Sequence, residues 1–116
     1  MALIANKKIF DIYYNEMLSL EILGNEEIEE LIFKKGSDPN AFNILTEQNL
    51  RYVLFKAKNY MSRDIPFIDI VQAGNTGLCI SLKKFNLKFG VKIITYADYW
   101  ITREIMELIY SNELIF

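Results

Sequence analysis

Tyr96, Tyr99 and Trp100 stand at i, i+3 and i+4, so a helix at this point sets all three rings on one side. Near them lie Lys83, Lys84, Lys88, Lys92 and Arg103, a basic streak that the formal net charge of −2 conceals. Flat rings beside cations suit two kinds of chemistry: stacking on another π-system, and neutralising an anion such as a phosphate. Spacing alone favours a plainer outcome, because aromatic stripes on helices are more often core and a run of lysines is as often a solvated face.

A second set is polar. Asp69, Gln72 and Asn75 recur at three-residue steps and line one edge of a helix, with Cys79 four residues further on. Ordinary solvent exposure is the bland account of that edge. Cys79 is the sole cysteine and has nothing in the chain to bridge with, which fits a reducing compartment and, more simply, a buried inert thiol.

Other chemistry is poorly provided for. The chain contains no histidine, which removes Ser-His-Asp triads, Cys-His pairs and histidine-containing zinc sites. The acidic pairs Glu26-Glu27 and Glu29-Glu30 read as solvated helix faces, and no nucleophile is partnered with a base. The expectation is a protein that is not an enzyme and uses no metal or cofactor. The opening MALIANKKIF lacks the order of a signal peptide, and no apolar run reaches the roughly eighteen residues of a membrane span. A soluble, cytoplasmic protein without a membrane partner is expected.

The elements that must position these residues are helical. With only two prolines and five glycines, apolar residues recur at steps of three and four, which gives an all-α class and a compact bundle of about five helices. The 116 residues form one module, enough for one core. A first helix is predicted over 7–20. A second starts near Asn25, which caps it ahead of Glu26 and Glu27, and ends at Gly36. Ser37-Asp38-Pro39 opens a third over 39–61, with Phe42, Leu45, Asn49, Leu50, Val53, Leu54, Ala57 and Tyr60 on its core face. A fourth is predicted over 67–85, where Gly74 and Gly77 imply a close helix–helix or partner contact. Asn86 to Gly90 reads as a loop, and Thr95 as the cap of a fifth helix over 95–111.

From Asp69 to Ile105 the sequence resembles the second conserved domain of primary-type bacterial sigma factors. Asp69, Gln72, Gly74, Asn75, Gly77, Leu78, Lys84, Phe85, Lys92, Thr95, Tyr96, Ala97, Tyr99, Trp100 and Ile101 carry that likeness. Upstream, Asn49-Leu50-Arg51-Tyr52-Val53 with Ala57 and Tyr60, and the acidic stretch from Asn25 to Leu31, extend it over most of the chain.

The resemblance implies a module that binds core RNA polymerase and melts the promoter −10 element by capturing single-stranded non-template DNA. It reverses the core reading of the aromatic stripe. Tyr96 would stack on a flipped base, Tyr99 and Trp100 would wedge against the upstream fork, and Lys84, Lys88, Lys92, Thr95 and Arg103 would complete the DNA contact. Asp69, Gln72, Asn75 and Cys79 would meet the clamp coiled coil of the polymerase largest subunit. Further domains of the family are not covered, which implies a fragment, a chain that works without them, or a second protein supplying the domain that reads the upstream element. Ala73 stands where the family carries an acid, Ile93 and Ile94 replace an aromatic and a serine, and Arg103, Glu104, Met106 and Glu107 alter the duplex-facing end. The first bears on the strength of docking to the polymerase, and the others imply a shifted promoter preference. They also leave open an alternative of another class, a sigma-like decoy that occupies the clamp without initiating.

Overall fold

Pro39 cannot donate a backbone hydrogen bond, and the first turn of a helix asks for none. Asp38 ahead of it is extended and its carboxylate accepts from the Asn40 amide at 3.0 Å, so helix α3 runs from there over Pro39–Lys58. In the computed structural model, which describes residues 2–18 and 21–115 (side chains for 7–12, 14–16, 18 and 21–112), five α-helices are present and no strand. The protein is all-α.

The other helices are α1 Ala2–Leu18, α2 Asn25–Lys34, α4 Phe67–Lys84 and α5 Ile93–Ile115. The expected end of the first helix at Leu20 lies outside the described residues. The second helix is not capped by Asn25: Gly24 is the extended cap residue, its carbonyl accepts from the Ile28 amide at 3.0 Å, and Asn25 is already helical. The Asn86–Gly90 stretch is not wholly irregular either. A single 3-10 turn spans Leu87–Phe89, opened by the Asn86 side chain accepting from the Lys88 amide at 2.9 Å and closed by Gly90 at φ 71°. Only glycine adopts that backbone without strain.

Thr95 is likewise not a cap. Helix α5 starts two residues earlier, with the Lys92 carbonyl accepting from the amides of Thr95 and Tyr96 at 3.1 and 3.3 Å. The cause is burial, because Ile93, Ala97, Ile101 and Ile105 form one buried i, i+4 row and the row begins at Ile93.

Helix α5 packs most extensively on α4, and α3 packs on α4 as well, while α2 lies on α3 and α1 crosses both α3 and α4. Phe67, Ile70, Leu78 and Leu82 of α4 are fully buried and share one core with Leu45, Val53 and Leu54 of α3, Ile101 and Ile105 of α5 and Phe10 of α1, whose ring lies 6.3 Å from that of Phe67. The two helical glycines explain the closeness. A Cβ on Gly77 would stand 2.3 Å from the Trp100 carbonyl oxygen and 2.7 Å from the Ile101 Cα, so the α4 and α5 backbones touch there. On Gly74 it would stand 2.8 Å from a Val53 methyl. The expected close contact is therefore made within the protein, helix on helix.

Candidate nucleic-acid interface

With Ile93, Ala97, Ile101 and Ile105 turned into the core, the 3.6-residue period of α5 carries Tyr99 and Arg103 outward. Tyr99 is 61% exposed. Its ring meets the half-buried Trp100 edge-on at 5.4 Å. Trp100 in turn holds two cations: the Lys84 ammonium at 4.6 Å from the ring centroid and the Arg103 guanidinium at 5.3 Å. Such contacts contribute roughly 0.5–1 kcal/mol each at exposed sites, enough to favour one side-chain arrangement without locking it. Arg103 is also paired with Glu107 one turn on, at 3.3 Å. The Trp100 Nε1 is buried and has no hydrogen-bond partner.

Tyr96 sits differently from the other two rings. It is half-buried against the core, 5.6 Å from Phe85 and 5.3 Å from Phe89, which themselves meet edge-on at 5.8 Å. The stripe foreseen in the sequence is therefore one side of the helix in two settings, an exposed Tyr99 with a half-buried Trp100, and a Tyr96 ring packed into a three-membered cluster. Lys88, Lys92 and Thr95 are exposed around that cluster, Lys88 on the 3-10 turn and the others where α5 begins.

The polar edge of α4 is less uniform than its spacing suggests. Asp69 and Gln72 are exposed, whereas Asn75 is half-buried and its Oδ1 is enclosed without a hydrogen-bond partner. Cys79 is half-buried rather than buried. Ala73 rests against the core and leaves no polar group there. Among the described residues no His, Cys, Asp or Glu cluster could hold a metal ion, and no helix is long and apolar enough to cross a membrane.

A family model described as Sigma-70 region 2 matches residues 45–113, which span α3 from Leu45, all of α4 and nearly all of α5. The chain belongs to the sigma-70 region 2 family. It is 39% identical over 98 residues to the RNA polymerase sigma factor SigA of Clostridium acetobutylicum, covering 84% of this chain and 26% of that protein. With the RNA polymerase sigma factor RpoS of Coxiella burnetii it shares 39% over 75 residues, 65% of this chain and 21% of that protein. The chain thus spans about a quarter of the length of these curated relatives.

Within this sigma-70 region 2 chain the structure adds a group that spacing did not single out. Asp98 of α5 accepts a hydrogen bond from the Tyr52 hydroxyl and pairs with the Lys56 ammonium at 3.1 Å, joining α5 to α3. The only trace of it in the sequence is Tyr52 and Lys56 one helical turn apart. Burial by itself raises the Asp98 carboxyl, but the Tyr52 hydrogen bond and the Lys56 charge outweigh it and hold the group below its ordinary value. Tyr52 moves oppositely: burial first, then the hydrogen bond to and charge of Asp98, push its phenol up to about 12.

The signs give a prediction. A depressed carboxyl adds stability that is complete above its ordinary pKa and is lost as pH falls through the lower folded value. A raised phenol adds stability that is complete below its ordinary value of about 10 and is lost as pH rises toward the folded one. Asp98→Asn is therefore expected to destabilise the protein at neutral pH, and to shrink the decline in the alkaline window where Tyr52 ionises. The part due to burial of Tyr52 persists. Urea midpoints measured across pH for both proteins check this, and superimposable profiles would rule the network out as a stabilising link.

Proposed function

We propose that this chain is a sigma-factor module that binds core RNA polymerase and nucleates promoter opening, holding the single-stranded non-template strand of a −10-like element on its α5 face. The observation that carries the reading is the aromatic and cationic surface of Tyr99, Trp100, Lys84 and Arg103 beside the Tyr96 cluster, in a chain of the sigma-70 region 2 family. A base leaving the duplex loses its stacking partners, and an aromatic side chain returns about 1–3 kcal/mol per base. Lysines at 84, 88 and 92 supply phosphate contacts that orient the strand without reading it.

No bond is made or broken in this scheme. The protein binds the open strand more tightly than the duplex, and the equilibrium shifts by that difference. Asp69, Gln72, Asn75 and Cys79 on α4 form the proposed polymerase contact. Its partner is the clamp coiled coil of the largest subunit, and the setting is the cytoplasm. A second reading has one observation in its favour: Glu107 pairs with Arg103 and weakens the positive field of the α5 face, as suits a decoy that occupies the clamp without opening DNA.

The test uses core polymerase and two DNA forms. A single-stranded non-template oligonucleotide with a −10-like sequence is expected to bind the complex more tightly than the matching duplex, with affinity falling as salt rises. Gln72→Ala is expected to weaken co-purification with the core enzyme while helical circular dichroism stays unchanged. Binding to core without any preference for single strands would leave the decoy standing, and absence of binding to core at low salt would remove both readings.

A further inference from the structure

Phe89 is an apolar ring that the fold does not bury. It is 49% exposed, on a turn whose residues from Asn86 to Lys92 are nearly all exposed as well. Its contacts are with two rings, Tyr96 at 5.3 Å and 47° and Phe85 at 5.8 Å and 88°. The exposed ring thus lies on Tyr96, the aromatic to which the resemblance gives the flipped base.

At that separation the Phe89 and Tyr96 rings are in contact, and no planar group fits between them. A base can reach this side of Tyr96 only if Phe89 moves. The turn that carries it is built for a local shift. It is three residues long and followed by Gly90 at φ 71°, and its own hydrogen bonds are one in which the Asn86 side chain accepts from the Lys88 amide and two exposed backbone bonds, Phe89 N–H to the Asn86 carbonyl at 2.9 Å and Gly90 N–H to the Leu87 carbonyl at 3.4 Å. Segments with few buried contacts and solvated backbone bonds open at low free energy, far below global unfolding.

We propose that Phe89 is a second base-stacking residue, which leaves Tyr96 when an unpaired nucleobase arrives and closes over the opposite face of that base. The inference rests on the single-strand reading above and adds a residue to it. In the free chain the Phe85, Phe89 and Tyr96 cluster keeps the platform covered. On binding, one ring–ring contact is exchanged for two ring–base contacts, so the covered state adds little resistance. Recognition is by the π-face, which every base has, so Phe89 contributes affinity and residence time rather than sequence preference.

The experiment uses the full chain in complex with core polymerase and two single-stranded oligonucleotides. One carries 2-aminopurine at the position of the captured base, and the other is abasic there. Phe89→Ala and Phe89→Leu are expected to weaken binding of the base-containing strand by about five- to tenfold, with reduced quenching of 2-aminopurine. Neither changes binding of the abasic strand, while Phe89→Tyr retains both affinity and quenching. Leucine preserves the apolar cover over Phe85 and Tyr96, so a purely structural role for the ring would spare it. Equal losses on both strands, no loss on either, or tighter binding by Phe89→Ala would each overturn the proposal. If Tyr96→Ala shows the base-dependent loss and Phe89→Ala does not, the single-strand reading survives and the Phe89 inference alone fails.

Discussion

Gly77→Ala is expected to destabilise the protein by at least about 3 kcal/mol, a large part of the roughly 5–15 kcal/mol that holds a domain of this kind together. The added methyl would stand 2.3 Å from the Trp100 carbonyl oxygen and 2.6 Å from its carbon, and both are backbone atoms of α5. A side chain yields by changing rotamer. A helix backbone yields only by moving the helix, and α5 is tied down by the buried row of Ile93, Ala97, Ile101 and Ile105. Alanine's better helix propensity returns about 1 kcal/mol, too little to offset that displacement.

Two other glycines serve as controls. At Gly74 the close atom is a Val53 methyl at 2.8 Å, a side-chain atom that has some freedom, so Gly74→Ala is expected to destabilise by only about 1–2 kcal/mol. Gly36 has nothing within 4 Å of its Cβ position, and alanine there is expected to be neutral or mildly stabilising, by about 0.4–1 kcal/mol. Urea denaturation of the three variants gives the ordering. A Gly77→Ala midpoint as close to wild type as that of Gly36→Ala would mean that α4 and α5 do not touch through their backbones.

Tyr96→Ala is expected to produce two losses of different kind. Half-buried against Phe85 and Phe89, the ring contributes to stability, and its truncation is expected to cost about 1–3 kcal/mol, below the 3–5 typical of a fully buried aromatic. Single-strand affinity is expected to fall independently by about 1–3 kcal/mol, roughly five- to more than a hundredfold. Tyr96→Phe keeps the ring and is expected to retain most of both. Chemical denaturation and oligonucleotide binding on the same three proteins separate the effects once binding is corrected for the folded fraction. If folded Tyr96→Ala binds single strands as wild type does, the ring is core and the stacking role is lost.

The helices were legible because burial repeats. The α3 face from Phe42 to Ala57 emerges as expected, with Leu45, Asn49, Val53, Leu54 and Ala57 buried and Phe42 and Leu50 half-buried, but the helix ends at Lys58 rather than 61, and Tyr60 packs on the core from the turn that follows. Starts of helices were less legible. Asn25 and Thr95 have the chemistry of caps, yet Gly24 takes the first place and Ile93 forestalls the second, because a buried isoleucine outweighs a hydroxyl cap of about 1 kcal/mol. The aromatic spacing put Tyr96, Tyr99 and Trp100 together on α5 but gave no means of separating Tyr96, among Phe85 and Phe89, from the exposed Tyr99. The Asp98, Tyr52 and Lys56 group was out of reach for a different reason, since Asp98 lies more than forty residues from the other two and meets them only when α5 is laid against α3.

Backbone contact between α4 and α5 at Gly77 also sets how motion passes through the molecule. Helices that meet through side chains slide by small repackings, whereas two backbones in contact behave as one rigid strut. Under the proposed function, a partner that seizes the polar edge of α4 would therefore aim Tyr99 and Trp100 with almost no lost motion. The entropy of fixing that angle was spent when the chain folded, so neither partner has to supply it on arrival.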